Sequence, residues 1–202
     1  GFDRLVHTGE DVYPTDGNWK FCVDTFGETY HFNALHRNTL ATVFYGNCQA
    51  YDTYGRNHRM SLCIQSIDEM RGEPEEKWSI LRGAFPVYYL FPNIQLNVGL
   101  GGLTLVRIYP VPGEPGRSVS RISFYAWPAA LERERERVMT MQESFGTVIR
   151  DEDYVAAASS QRGVESGLIE ELVFGRNEPA LHHYHNTYRE ALGMPALPLL
   201  EG

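Results

Sequence analysis

The sequence predicts an α+β domain in which a curved antiparallel sheet holds long helices. Residues 85–127 read as consecutive strands joined by tight turns, the pattern of an antiparallel meander. After Pro128 the apolar period changes to that of a helix, and helices occupy the remainder. Strands and helices segregated in this way make an α+β plan and not a parallel α/β one. The 202 residues, 43% of them hydrophobic, suffice for one domain with a substantial core.

Taken in order, residues 2–16 are polar, carry Pro and Gly, and end in an Asp16-Gly17 turn signal. Residues 1–17 are therefore read as a linker or domain-junction remnant, and residues 18–202 as the domain. Residues 19–23 fit a short strand. Asp24 or Thr25 then caps a helix of two or three turns, with Glu28 near the capping-box position, and this helix carries His31 and His36. Residues 39–46 and 58–66 read as strands, with a loop at 51–57 between them. The charged segment 67–83 holds a short helix or an insertion. Residues 85–93 and 94–98 are strands interrupted at Phe91-Pro92-Asn93. Residues 99–102 form a turn that lacks the GxGxxG spacing of a nucleotide loop. Strands 103–111 and 118–127 flank a hairpin turn at 112–116. Helices follow at 129–145, where the ERERER run is a solvated face and Gly146 is a breaker, at 152–161, and at 178–192, closed by Gly193 and Pro195.

A net charge of -8 argues against a nucleic-acid partner, which needs a basic face. No apolar run approaches the roughly 20 residues of a membrane span. Residues 1–17 contain no apolar block behind a basic start, so no signal peptide is read there. Cys22, Cys48 and Cys63 are odd in number and widely spaced, which disfavours a disulfide framework and favours a cytoplasmic home.

Residues 18–36, NWKFCVDTFGETYHFNALH, hold the chemistry. Two imidazoles stand near Asp24 and Glu28 in a frame of five aromatic residues. His31 and His36 are five positions apart, which on a regular helix leaves them about 140° from each other. The spacing is thus not that of HExxH zinc sites. Both rings reach one metal if the helix carries a π-bulge, or if it ends between them and His36 lies on the following turn. A carboxylate is the natural third ligand. Two imidazoles and one carboxylate on one face of Fe(II) leave positions open for O2 and substrate. Asp153 is the leading candidate, at the start of a small-residue helix that can approach another closely, with Asp151 as the alternative. His182, His183 and His185 read as a partly exposed helix face, and His7 and His58 lack an evident partner.

The same stretch resembles the start of the catalytic domain of Rieske-type ring-hydroxylating oxygenase α subunits. Asn18-Trp19-Lys20, Asp24-Thr25-Phe26, Glu28, Tyr30-His31 and His36 carry the resemblance, with Thr25 where the family usually has Asn. Leu90-Phe91-Pro92-Asn93, then Glu152-Asp153 with Gln161-Arg162-Gly163, then the segment 175–178 (GRNE) follow in the family's order. The resemblance implies a helix-grip (START-like) fold and a mononuclear Fe(II) held by His31, His36 and Asp153. It implies that Glu28 is the acid bridging the iron to the Rieske cluster of a neighbouring subunit. The family's [2Fe-2S] cluster needs CxH and CxxH pairs, and this chain has neither, so the cluster is expected on a domain outside it.

The implied reaction is O2-dependent hydroxylation, as dihydroxylation, monooxygenation or oxidative demethylation, of a small aromatic or apolar substrate. Electrons would come from NAD(P)H through a reductase or ferredoxin and the Rieske cluster. A homotrimer is implied, with or without a β subunit, and the chain alone is expected to be inactive. A metal-free helix-grip ligand-binding module is the rival from another class. A 2-oxoglutarate oxygenase is disfavoured, because its HxD…His order is reversed here.

Overall fold

In the computed structural model of the chain, which describes residues 1–99 and 101–199, seven strands form one antiparallel sheet in the order β1-β7-β6-β5-β4-β3-β2. They are β1 (Val6–Thr15), β2 (Phe44–Tyr54), β3 (Asn57–Ile64), β4 (Ala84–Leu90), β5 (Ile94–Val98), β6 (Gly102–Val111) and β7 (Glu114–Ala126). From β2 to β7 each strand pairs with the next in sequence, and β1 joins at the far edge through β7. Alternation sets the two faces. Val106 and Ile108 on β6 are fully buried, whereas Arg107 between them turns outward. There Arg107 sits opposite Arg121 in register, and Glu10 of β1 bridges both guanidinium groups at 3.0 Å, which offsets the like-charge pair.

The helices are α1 (Trp19–Asp24), α2 (Ile67–Met70), α3 (Ile80–Gly83), α4 (Pro128–Val148), α5 (Tyr154–Glu165) and α6 (Pro179–Ala191). A π-helical turn, Ile149–Asp153, joins α4 to α5. The curved sheet and long helices match the α+β expectation. Two buried clusters make the core. The first gathers Val106, Ile122 and Phe124 of the sheet with Ile149, Tyr154 and Tyr184 of the helices. The second gathers Met60, Leu62 and Val87 with Phe32 and Ala180.

Several local expectations change. Residues 6–15, read as part of a linker, form edge strand β1, with Val12 opposite Arg121 and Thr15 opposite Ser118. Residues 19–23 are helical, not extended. Asn18 caps them by accepting a hydrogen bond from the Lys20 backbone N–H at 2.9 Å. The single helix expected to carry both histidines is broken at Gly27, whose N–H closes on the Asp24 carbonyl at 2.8 Å. A side chain at Gly27 would meet Leu181 of α6 at 2.2 Å, so this turn is where α6 comes in. Residues 51–57 are mostly strand, because Asp52 and Arg59 pair across β2 and β3 at 2.6 Å and the reversal narrows to Gly55, with φ +61°. Gly146 does not break α4. It lies buried within the helix, and a Cβ there would sit 2.9 Å from the Tyr13 hydroxyl, so the glycine lets α4 lie against β1.

Candidate metal centre

The NWK segment is an anchor. Besides capping α1, Asn18 donates through Nδ2 to the Pro115 carbonyl at 2.7 Å, and Trp19 packs edge-on against Tyr188 of α6 at 5.1 Å. After α1 ends, Thr29 is buried and accepts a hydrogen bond from the Asn47 N–H at 2.9 Å, fixing the loop to β2. A 3-10 turn, Tyr30–Asn33, then carries His31, and His36 lies on the turn beyond its end. Of the two routes open to a five-residue spacing, the chain takes the second. The rings stand with centroids 4.9 Å apart.

Asp153 reaches the same place from the end of the π-helical turn. Its Oδ1 is 3.2 Å from His36 Nε2 and 3.7 Å from His31 Nε2, and one ligand atom from each of the three residues lies within 4.8 Å of the others. His36 is fully buried and Asp153 nearly so. Asp151 points elsewhere, half exposed and paired with Arg150 at 2.6 Å.

Each imidazole is oriented from behind by a carboxylate. His31 Nδ1 donates to Glu28 Oε1, while the His31 backbone N–H donates to Glu28 Oε2 at 3.1 Å. His36 Nδ1 donates to Glu152 Oε2 at 2.6 Å, and Thr39 Oγ1 donates to the same oxygen at 2.9 Å. With each Nδ1 engaged by a glutamate, both Nε2 atoms face Asp153, and His36 Nε2 lies within hydrogen-bond distance of its Oδ1 at 3.2 Å. His31 Nε2 is buried with no hydrogen-bond partner among the described residues. Two imidazole nitrogens and a carboxylate converging on one point could hold a cation, and outer carboxylates behind the imidazoles are the usual support of such a site. The surrounding carboxylates favour positive charge at this point. Burial works against a His36 imidazolium, but Asp153 and Glu152 outweigh it and raise its pKa. Burial raises the Asp153 carboxyl against the pull of His36 and His31.

The sequence reading assigned no role to Glu152 or Thr39. Adjacent residues on a regular helix diverge by about 100°. Glu152 was visible only as the neighbour of Asp153, and the wider π turn is what lets both face the histidines. The other side of Glu28 opens on a surface cleft of about 190 Å³ lined also by Asp24, Thr25, Tyr30 and Glu178. Tyr30 donates to Glu178 at 2.7 Å.

The remaining histidines have separate partners. His182 Nε2 meets the Gly175 carbonyl at 3.0 Å, and His185 Nε2 meets Asp24 at 2.9 Å. His183 faces buried His58 at 3.3 Å, and His58 stacks on Tyr89 at 4.9 Å. Burial, and then His183, push the His58 pKa from 6.5 down to about 3. A group with a depressed folded pKa contributes stability above its unfolded pKa, and that contribution is lost as pH falls toward the folded value. Stability is therefore expected to drop between pH 6.5 and 3, by about 2–3 kcal/mol over the first two units. Urea denaturation at pH 7 and 4.5 should give a shallower drop for His58→Gln than for the unaltered protein. Equal drops would remove His58 as the cause.

The sequence model for the ring hydroxylating alpha subunit (catalytic domain) matches residues 2–194, almost the whole chain. The chain belongs to this family. Solved structures similar to this ring-hydroxylating catalytic domain include a quaternary ammonium Rieske monooxygenase, at TM-score 0.69 and 19% identity over 95% of this chain and 50% of that one. Naphthalene 1,2-dioxygenase bound to phenanthrene matches at TM-score 0.63 and 13% identity, over 92% and 54%. Dicamba monooxygenase bound to dicamba matches at 0.61 and 12%, over 94% and 57%. At these identities the likeness is one of fold. The chain spans about half the length of these structures. No curated protein sequence matches it. Among the described residues, no helix is long and apolar enough to cross a membrane.

Proposed function

We propose that the protein is the mononuclear-iron part of a Rieske-type oxygenase, with His31, His36 and Asp153 as the ligands. The observation that carries this is the buried, unpartnered His31 Nε2, directed with His36 Nε2 at the Asp153 carboxylate. Iron, when bound there, supplies O2 activation. The chain's own residues do the rest. Glu28 and Glu152 engage Nδ1 of His31 and His36, which orients both rings and turns each Nε2 toward Asp153. Phe32 packs edge-on against both rings at 5.0 and 5.4 Å and keeps water from that side. The surface cleft at Glu28 is the entry proposed for electrons, delivered by the Rieske cluster of a neighbouring subunit in a homotrimer and drawn from NAD(P)H through a reductase or ferredoxin. The substrate is a small organic molecule that is hydroxylated or demethylated.

A metal-free binding module would leave the orphaned His31 nitrogen and its oriented partners unexplained. Anaerobic reconstitution with Fe(II), followed by desalting and metal analysis, is expected to give one iron per chain. A chain that emerges without iron rules the oxygenase reading out.

A further inference from the structure

The two core clusters meet at β5. In register, Gln95 lies between Tyr89 and Val106, both of the first cluster. Asn97 lies between Thr104 and Val87, the latter of the second cluster. Both amides face the interior and are 2% exposed. Yet Gln95 Oε1, Asn97 Oδ1 and Asn97 Nδ2 have no hydrogen-bond partner among the described residues. Each buried polar atom left in this state costs about 1–3 kcal/mol. Three such atoms two residues apart are a poor packing solution unless a ligand supplies their partners.

The histidine–carboxylate centre stands at the same seam. Phe32, which contacts both histidines, belongs to the second cluster. Ile149 and Tyr154, which bracket the turn ending in Asp153, belong to the first. A path of rings, Phe32 to Phe44 to Phe85 with 5.8 Å steps, leads from the histidines to β4, the neighbour of β5. Arg59, Arg107 and Arg121 lie on the opposite face of the sheet. A carboxylate on the inner face would have no cationic side chain from these strands to meet it.

We propose that Gln95 and Asn97 bind the head of the substrate, and that this head is a neutral donor–acceptor group, with a primary carboxamide as the best match. Two amide oxygens accept from its N–H groups, and Asn97 Nδ2 donates to its carbonyl. This rests on the oxygenase reading of the same site, and it replaces an entirely apolar substrate with an aromatic or aliphatic body carrying a polar end.

The test uses benzamide, toluene and benzoate as probes, with binding measured by calorimetry on the full chain, both Fe(II)-loaded and metal-free. Benzamide is expected to bind about tenfold or more tightly than either of the others. Asn97→Leu should bring benzamide to the level of toluene while leaving iron uptake as it was, and Gln95→Leu is the second variant should the first fail to fold. Toluene or benzoate binding as tightly as benzamide overturns the proposal. So does absence of benzamide binding, or its preference persisting in either folded variant. A chain that prefers benzamide but takes up no iron would overturn the iron reading and leave the head-group site standing.

Discussion

Replacing His36 by alanine is expected to abolish Fe(II) uptake, with affinity falling at least about 100-fold. The imidazole is fully buried, its Nδ1 is held by Glu152, and its Nε2 lies 3.2 Å from Asp153. Alanine removes one of the three proposed ligand atoms. It also leaves two adjacent carboxylates, Glu152 and Asp153, without the group that separates them. Asp153→Ala should do the same from the other side. Competition against a chromogenic Fe(II) chelator under anaerobic conditions reads the affinity directly. Glu152→Gln provides the graded control. It retains the ligand set and weakens the orientation of one ring, for which a loss of about 10–100-fold is expected. A His36→Ala protein that holds iron as tightly as the unaltered chain would remove this cluster from consideration.

Glu28→Gln is expected to separate iron binding from turnover. The glutamine is isosteric and accepts from His31 Nδ1 through its oxygen, so iron uptake should fall by about tenfold at most. Turnover with NAD(P)H as the electron source should fall by about 100-fold or more, because the carboxylate is the proposed link between the cleft surface and the His31 ring. Oxygen consumption by the assembled system, set beside the iron content of the same preparation, separates the two roles. If turnover falls only in proportion to lost iron, Glu28 orients His31 and does nothing further.

The sheet and the ligand cluster were legible in the sequence for different reasons. Strands from Ala84 to Ala126 announce themselves because one face of each is buried and the other wet, as with Val106, Arg107 and Ile108. The ends of the chain segment before His31 were not legible. Trp19 to Val23 is aromatic and β-branched enough to look extended, and the deciding contacts are the Asn18 cap and the packing of Trp19 on Tyr188, which is distant in sequence. Residues 6–15 looked like a linker because an edge strand can be polar on its outer face. His31, His36 and Asp153 lie within reach of one another; spacing constrained only the two histidines, and Asp153 was singled out by the small-residue helix it starts and by the family resemblance, with Asp151 left as the alternative. Glu152 and Asn97 did not stand out. Glutamate before aspartate on a helix is ordinary, and a buried asparagine is conspicuous only once its lack of partners is known.

The π-helical turn at Ile149–Asp153 ties the centre to an irregularity of the backbone. Beyond the kink at Glu134, where φ -142° and ψ 39° leave the helical region, the α4–α5 rod carries one widened turn, and that turn presents Glu152 and Asp153 side by side. Deleting a single residue from it would let the rod wind regularly and would strengthen its hydrogen bonding. The same deletion would rotate everything downstream by about a quarter turn and carry Asp153 out of reach of the histidines. A regular helix and the carboxylate pair therefore make opposite demands on this segment, and the fold as it stands keeps the pair.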